Sequence, residues 1–224
     1  MIADDVRRLL IASGTDQGRI LWHDGTEAPT GPSHQWIAWS VGDEIILGGA
    51  DRGRFAAYAR FGDPSLVAEV LQRWVAPTLP PAPRDSDTLV GAALVVADDL
   101  VGTTAPDPTV RDGGAVSGSV LPVGAPLDHV GNASGHVLYL YGTEMSARSL
   151  PPTDLNEERM GFVLTTALPD TSRVERVRPW FGQPGGGLMV TLDRVIGYYV
   201  DAGVLEPFAP PVTGSAPSDD GIPA

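Results

Sequence analysis

A glutamine flanked by aromatic residues and glycines is the group in this sequence best suited to chemistry. Gln183 follows Trp180 and Phe181 closely, and three consecutive glycines come after it: Gly185, Gly186 and Gly187. Glycine lacks a Cβ, so its backbone can adopt positive φ and approach a ligand closely. An amide side chain offers both a donor and an acceptor. The segment therefore predicts either a ligand-binding loop or a tight turn between two strands.

Histidines and paired acids are the other groups that could do acid–base or metal chemistry. His129 and His136 lie seven residues apart, and no carboxylate cluster of matching spacing accompanies them. This favours isolated histidines over a metal site, and we expect no bound metal. The adjacent acids indicate solvated caps or loops rather than an acid–base dyad. These pairs are Asp4 and Asp5, Asp98 and Asp99, and Asp219 and Asp220.

The composition excludes several functional classes. All 15 basic residues are arginine, so no lysine is available for a Schiff base or a P-loop. The chain has no cysteine, which excludes disulfides and thiol catalysis. A formal net charge of −13 argues against a nucleic-acid-binding surface, since such surfaces need clustered positive charge. A small anionic ligand held by one or two arginines stays compatible with this charge.

The pattern of apolar residues indicates where in the cell the protein is expected to lie. The first eight residues place acids before the basic pair and contain no long apolar run, unlike a signal peptide. The longest apolar stretch, 89–97, is too short to span a bilayer. We therefore expect a soluble, cytoplasmic protein that does not associate with membranes.

The sequence divides into two small α+β domains. Residues 1–75 predict a helix, several strands and a second helix that begins at Asp63-Pro64. Residues 76–118 predict a Pro/Gly-rich linker, with an apolar segment over 89–99 that forms either a strand or a short helix. A second domain is expected over 119–208, with a compact mixed or antiparallel sheet and a closing helix. We expect the tail, 209–224, to be disordered.

Five aromatic residues of the first domain are predicted to belong to its core rather than to a binding site. They are Trp22, Trp36, Trp39, Phe55 and Trp74.

Three motifs follow one another in the second domain. Leu127-Asp128-His129-Val130-Gly131 comes first, then Arg148-Ser149-Leu150-Pro151-Pro152, then Trp180-Phe181-Gly182-Gln183-Pro184 with its glycines. In this order, over about residues 121–208, they resemble the TNT (necrotizing toxin) domain family. The resemblance implies a compact α+β domain distantly related to ADP-ribosyltransferases. It also implies hydrolysis of NAD⁺ or NADP⁺ at the nicotinamide–ribose bond, with the nucleotide as substrate and no cofactor.

The resemblance also implies roles for individual residues. Gln183 matches the family's functional glutamine, and its amide can steady the ribose centre as nicotinamide leaves. Arg148 precedes Leu-Pro-Pro as in the family, and its planar fork suits a pyrophosphate; a surface ion pair is the alternative. His129 is a second catalytic candidate. Trp180 and Phe181 are substrate-binding candidates, together with the three glycines Gly185, Gly186 and Gly187.

Three positions depart from the family pattern and support a second hypothesis. His129 replaces an arginine, Val137 replaces an aromatic residue, and Met160 aligns with a histidine of many members. Such changes remove preorganised polar or stacking contacts. The chain is therefore either an NAD(P)⁺ glycohydrolase of TNT type or a degenerate TNT domain. The latter would bind a nucleotide or a protein as a regulatory or immunity module.

The first domain bears a weaker likeness. Its helix–strands–helix order with tryptophan-rich strands is similar to small actinobacterial immunity proteins that accompany polymorphic toxins. Exclusive use of arginine is compatible with a GC-rich genome. This likeness implies a toxin or antitoxin protein as a further partner.

Overall fold

Two separate sheets, of four and seven strands, organise the protein together with five helices among the residues described. The computed structural model describes residues 2–51, 53–81, 87–101 and 114–208. Its mixture of helices and strands is the α+β class that the sequence predicts. The predicted disordered tail, 209–224, lies outside the described residues.

The first unit follows the predicted helix–strands–helix order. Its elements are α1 (Ile2–Ala12), β1 (Ile20–His23), β2 (Trp36–Val41), β3 (Glu44–Asp51), β4 (Arg54–Phe61) and α2 (Pro64–Val75). β2, β3 and β4 pair antiparallel, and β1 joins β2 in parallel. Asp63 begins α2 because its carboxylate accepts the N–H of Ser65, while Pro64 occupies the first turn.

Two of the five predicted core aromatics form the centre of the first unit. Trp36 and Trp74 are buried with their ring centroids 4.7 Å apart, and Nε1 of Trp36 donates to the Trp74 carbonyl at 3.0 Å. The buried polar N–H is thereby satisfied. Trp22, Trp39 and Phe55 are only half-buried.

The second unit is built on the larger sheet. Its strands are β5 (Val116–Ser117), β6 (Pro126–Val130), β7 (Val137–Leu140), β8 (Arg159–Leu164), β9 (Arg173–Arg176), β10 (Leu188–Thr191) and β11 (Leu205–Pro207). All neighbours pair antiparallel in the order β11-β8-β6-β7-β10-β9-β5. The helices α4 (Met145–Arg148) and α5 (Ile196–Asp201) connect these strands.

The apolar segment inside the predicted linker forms a helix of the second unit, α3 (Asp87–Val101). Ala93, Val96 and Leu100 lie at the spacing of one helical face, and all three are buried in the core of the larger sheet. Of the two forms left open by the sequence, the structure has the helix. Part of the predicted linker thus packs with the second unit, while 82–86 and 102–113 lie outside the described residues.

The described helices are all too short or too polar to cross a membrane.

Candidate functional site

A row of four side chains crosses one face of the larger sheet. The strand register places Asp128 of β6 opposite Tyr139 of β7. Tyr139 is opposite Met189 of β10, which is in turn opposite Glu175 of β9. Directly opposite residues of paired strands have side chains on the same face. The other face packs against α3 and α5, so this row marks the face left for a site.

Asp128 is the centre of a buried ion-pair cluster. Nη1 of Arg148 lies 2.6 Å from Oδ1, and Nη2 donates to Oδ2 at 3.0 Å. Arg159 donates from Nε to Oδ2 at 2.8 Å, and the N–H of Gly142 donates to the same oxygen at 3.2 Å. The side chains of Asp128 and Arg148 have no exposed surface. One carboxylate shared by two guanidiniums leaves this cluster with an excess of positive charge.

The Arg148 guanidinium is engaged within the protein. Besides its contacts with Asp128, Nε donates to the Thr143 carbonyl at 2.8 Å, and Cζ lies 4.7 Å from the centroid of the Tyr139 ring. Burial raises the pKa of the Tyr139 hydroxyl to about 12, so this group stays protonated at neutral pH. Arg148 thus forms a buried ion pair rather than the surface pair considered from sequence. Its grip on a pyrophosphate stays a prediction.

The residue after Arg148 adopts a strained backbone. Ser149 has a φ of 49° and a ψ of 41°, a left-handed conformation that costs a non-glycine residue about 1–2 kcal/mol. Its Oγ is buried without a hydrogen-bond partner among the described residues, at a further cost of about 1–3 kcal/mol. Backbone strain of this kind is concentrated at functional sites, which makes Ser149 a candidate that the sequence reasoning missed.

Residues 180–183 form a tight turn. The N–H of Gln183 donates to the Trp180 carbonyl at 2.8 Å, and the N–H of Trp180 donates to the Gln183 carbonyl at 3.2 Å. Phe181 and Gly182 have φ values of 47° and 66°. Positive φ at both central residues is typical of type I′ turns, which suit a hairpin between twisted strands. The tight turn predicted as one alternative is therefore present between β9 and β10.

The side chain of Gln183 points into the protein. It is 2% exposed, and its Nε2 donates to the Leu150 carbonyl at 2.8 Å. Its Oε1 is buried and has no hydrogen-bond partner within the described part of the chain. The Gln183 turn is thereby tied to the segment that follows Arg148, and one amide acceptor is left for a water or a ligand group.

A cavity of about 430 Å³ lies where these segments meet. Tyr139, Met189 and Glu175 line it from the sheet, and Ser149–Pro151 line it from the segment after α4. Its size is within the usual range for small-molecule pockets, roughly 300–1,000 Å³. Three members of the sheet row and the Arg148 motif therefore line one concave site.

The aromatic pair of the turn completes the cavity wall. Trp180 is 43% exposed and stacks on Phe181 with ring centroids 4.6 Å apart and planes at 18°. An exposed aromatic face can stack on a planar ligand ring. Arg176 and Arg178 also line the cavity and add positive charge to it.

The three predicted substrate-binding glycines lie outside the cavity. Gly186 and Gly187 line a different, smaller pocket beside α3. A Cβ at Gly185 would lie 2.6 Å from the Val177 carbonyl oxygen, so only glycine fits there. The N–H groups of Gly185, Gly186 and Gly187 donate to the carbonyls of Ser146, Val177 and Ala147 at 3.2, 2.8 and 3.0 Å. The glycines therefore bring the turn close to α4, and the structure does not place them at the cavity.

His129 does not line the cavity. It is adjacent to Asp128 on β6, and successive side chains of a strand point to opposite faces. Its ring lies against Gly131 and Gly135, with Nδ1 2.8 Å from the Val137 carbonyl oxygen. Burial lowers the pKa of His129, although the backbone oxygens of Val137 and Asn132 oppose this shift. The imidazole is therefore predominantly neutral at pH 7, and the structure does not bring it to Gln183.

No group of three metal-binding side chains occurs among the residues that the structure describes. Asp128, Glu175 and Tyr139, by contrast, were given no firm role in the sequence reasoning. The signal that could have found them is the strand register, which sets them in one row but depends on long-range pairing.

Residues 120–208, which contain this cavity, match the model of the family described as tuberculosis necrotizing toxin, or TNT. This part of the chain belongs to the TNT family. The Asp128 cluster, the strained segment after Arg148 and the Gln183 turn all lie inside the TNT domain. The first unit lies outside the match, and its likeness to immunity proteins stays a prediction.

The proteins to which the chain is similar include a curated enzyme and a solved structure. The conidial surface nicotinamide adenine dinucleotide glycohydrolase nadA of Aspergillus fumigatus is 29% identical over 154 residues, which cover 66% of this chain and 59% of the relative. The chain thus spans less than two thirds of that relative's length. The solved structure of tuberculosis necrotizing toxin complexed with its immunity factor IFT aligns at 17% identity and a TM-score of 0.37. That alignment covers 59% of this chain and 91% of the other.

Proposed function

We propose that the TNT domain is an NAD(P)⁺ glycohydrolase that cleaves the nicotinamide–ribose bond in the cavity beside the Gln183 turn. One observation carries this proposal. The Arg148–Pro152 motif and the Trp180–Gln183 turn are well separated in sequence, yet both contribute residues to the lining of one cavity, and they are joined by the hydrogen bond from Gln183 to the Leu150 carbonyl. The match to TNT and the similarity to a glycohydrolase support the choice of substrate.

The chemistry is a displacement at the anomeric carbon of the ribose. The bond to nicotinamide breaks with its electron pair leaving on nicotinamide, and water forms the new bond and releases one proton. Positive charge develops on the ribose in the transition state. The carboxylate of Glu175 lines the cavity and would stabilise that charge. In this proposal the nucleotide is the substrate, and water is the only other reactant.

Gln183 is suited to orient a reactant rather than to transfer a proton. Its Oε1 lacks a partner, but Gln183 is not among the residues that line the cavity, so it would accept a hydrogen bond from a ribose hydroxyl or from the attacking water only once the turn opens. Its Nε2 is held by the Leu150 carbonyl, which fixes the direction of the amide. The exposed face of Trp180 would stack on the nicotinamide or adenine ring.

The second candidate is a TNT domain that binds a nucleotide or a protein without turnover. Three observations favour it: Gln183 is almost fully buried, the Arg148 guanidinium is occupied by Asp128, and His129 lies outside the cavity. A protein partner from a toxin–antitoxin pair belongs to this candidate.

Release of nicotinamide from NAD⁺ and from NADP⁺ by the full chain distinguishes the two candidates. We expect release by the wild-type protein, a fall of about 10²–10³-fold in Gln183→Ala, and little change in Gln17→Ala, a matched control outside the cavity. Absence of release at high protein concentration would refute the enzyme. Heat on titration with a non-hydrolysable NAD⁺ analogue would then support nucleotide binding, and its absence would leave only a protein partner.

A further inference from the structure

The first unit contacts the Gln183 turn at its tip. The N–H of Gly182 donates to the Ser33 carbonyl at 3.0 Å. The carbonyl of Gly182 accepts from Nη2 of Arg19, also at 3.0 Å. Both backbone groups of Gly182 are therefore bound by residues of the other unit, more than 140 positions away in sequence.

Aromatic packing reinforces these bonds. A Cβ at Gly182 would lie 2.5 Å from ring atoms of Trp36, so the turn backbone rests directly on that ring. The ring of Phe181 lies 5.7 Å from that of Tyr58, and Phe181 packs against the core of the first unit. The contact thus includes desolvated apolar surface as well as hydrogen bonds.

Arg19 joins three parts of the molecule at this contact. Its Nη1 donates to the Val75 carbonyl at the end of α2 at 2.5 Å, and its Nη2 reaches Gly182 in the turn. The guanidinium is half-buried between the units. Because a planar guanidinium has fixed donor directions, Arg19 holds the turn at a set position relative to α2.

The buried state of the turn contains unfavourable features of its own. Phe181 has a positive φ, which is strained for a residue with a Cβ, and Oε1 of Gln183 is buried without a partner. Exposure of the turn to solvent would give Oε1 of Gln183 a water partner. The contacts made by Arg19, Ser33, Trp36 and Tyr58 favour the buried state instead.

We propose that the first unit is a built-in clamp on the TNT domain, which holds the Gln183 turn closed and opens it when the contact between the units is released. Arg19 and Tyr58 are positioning residues of this clamp. The claim that this contact controls activity at the cavity rests on the proposed function. The claim that the first unit holds the turn in place does not, and it can be tested without measuring activity.

Amide hydrogen exchange of the full chain tests the clamp. In Arg19→Ala and in Tyr58→Ala, we expect peptides covering 178–187 to exchange about tenfold faster or more, as for loss of a local hydrogen bond. Tyr58 is 38% exposed, but its ring also contacts those of Trp36 and Trp74, so the free energy of unfolding of each variant is measured as well. Arg60→Ala removes an exposed pair with Glu44 and is the matched control, with wild-type exchange expected. Unchanged exchange of the turn in both test variants would overturn the proposal.

Nicotinamide release measured on the same variants separates this proposal from the proposed function. Faster exchange together with faster Gln183-dependent release supports a clamp that restrains the enzyme. Faster exchange without any release supports the clamp while the glycohydrolase proposal fails. Faster exchange with release that falls below the wild-type rate overturns the restraint, because the contact would then assemble the site.

Discussion

Arg148 and Asp128 form a two-point ion pair in the interior of the TNT domain, with Nη1 2.6 Å from Oδ1 and Nη2 3.0 Å from Oδ2. Arg159 binds the same carboxylate from a neighbouring strand. Among the described residues, Asp128 is therefore the single anion paired with both buried guanidiniums. The cluster connects β6, β8 and α4, and it sets the position of the segment that borders the cavity.

Asp128→Asn should lower the free energy of unfolding by about 3–5 kcal/mol, because two guanidiniums would remain buried without their counter-charge. Urea denaturation measures this change. The control is Asp98→Asn, an exposed residue of α3, which should lie within about 0.5 kcal/mol of wild type. An equal loss of unfolding free energy in the two variants would contradict the view that the Asp128 cluster stabilises this region.

Ser149→Gly should raise the free energy of unfolding by about 1 kcal/mol, since glycine adopts positive φ without strain and the orphaned hydroxyl is removed. Ser149→Ala separates the two causes, because it removes the hydroxyl but keeps a Cβ at a φ of 49°. The same denaturation experiment applies. A glycine variant less stable than the alanine variant would show that the backbone at this position is not strained.

Glu175→Gln should lower kcat/KM for NAD⁺ by about 10²-fold, because a neutral amide cannot balance the charge that develops on the ribose. Most of this fall should come from a lower kcat rather than from a higher KM, since the interaction strengthens in the transition state. Steady-state release of nicotinamide measures both. Glu69→Gln, on the exposed face of α2, is the control. A rise in KM with kcat unchanged would instead assign Glu175 to substrate binding.

The His129 imidazole should make stability depend on pH. Burial lowers its pKa in the folded state, whereas the unfolded value is about 6.5. Between these two values the unfolded chain binds more protons, so stability rises with pH and is lost as pH falls below about 6.5. The free-energy difference between wild type and His129→Gln should therefore shift against the wild type on acidification. A difference that is constant with pH would contradict this prediction.

Local patterns were sufficient for much of the fold. The helix–strands–helix order of the first unit follows from apolar spacing and from turn residues such as Gly42 and Asp63, and the structure confirms it. Gln183, Trp180, Phe181 and Arg148 could also be picked out as candidates, because they lie in dense, ordered motifs, and all four fall within residues 120–208, which match the TNT family model. Such signals are carried by neighbours in the chain.

The arrangement of the site depends on contacts between distant residues. Asp128 and His129 are equally prominent in sequence, yet strand alternation lets only one of them face the site, and antiparallel pairing selects Asp128. Glu175 reaches the cavity through register across three strands. The sequence alone thus determined the elements and the family motifs, since these are local. Only folding in three dimensions set the ion-pair cluster, the cavity and the contact of Arg19 with Gly182, because each joins side chains through strand pairing or packing between units.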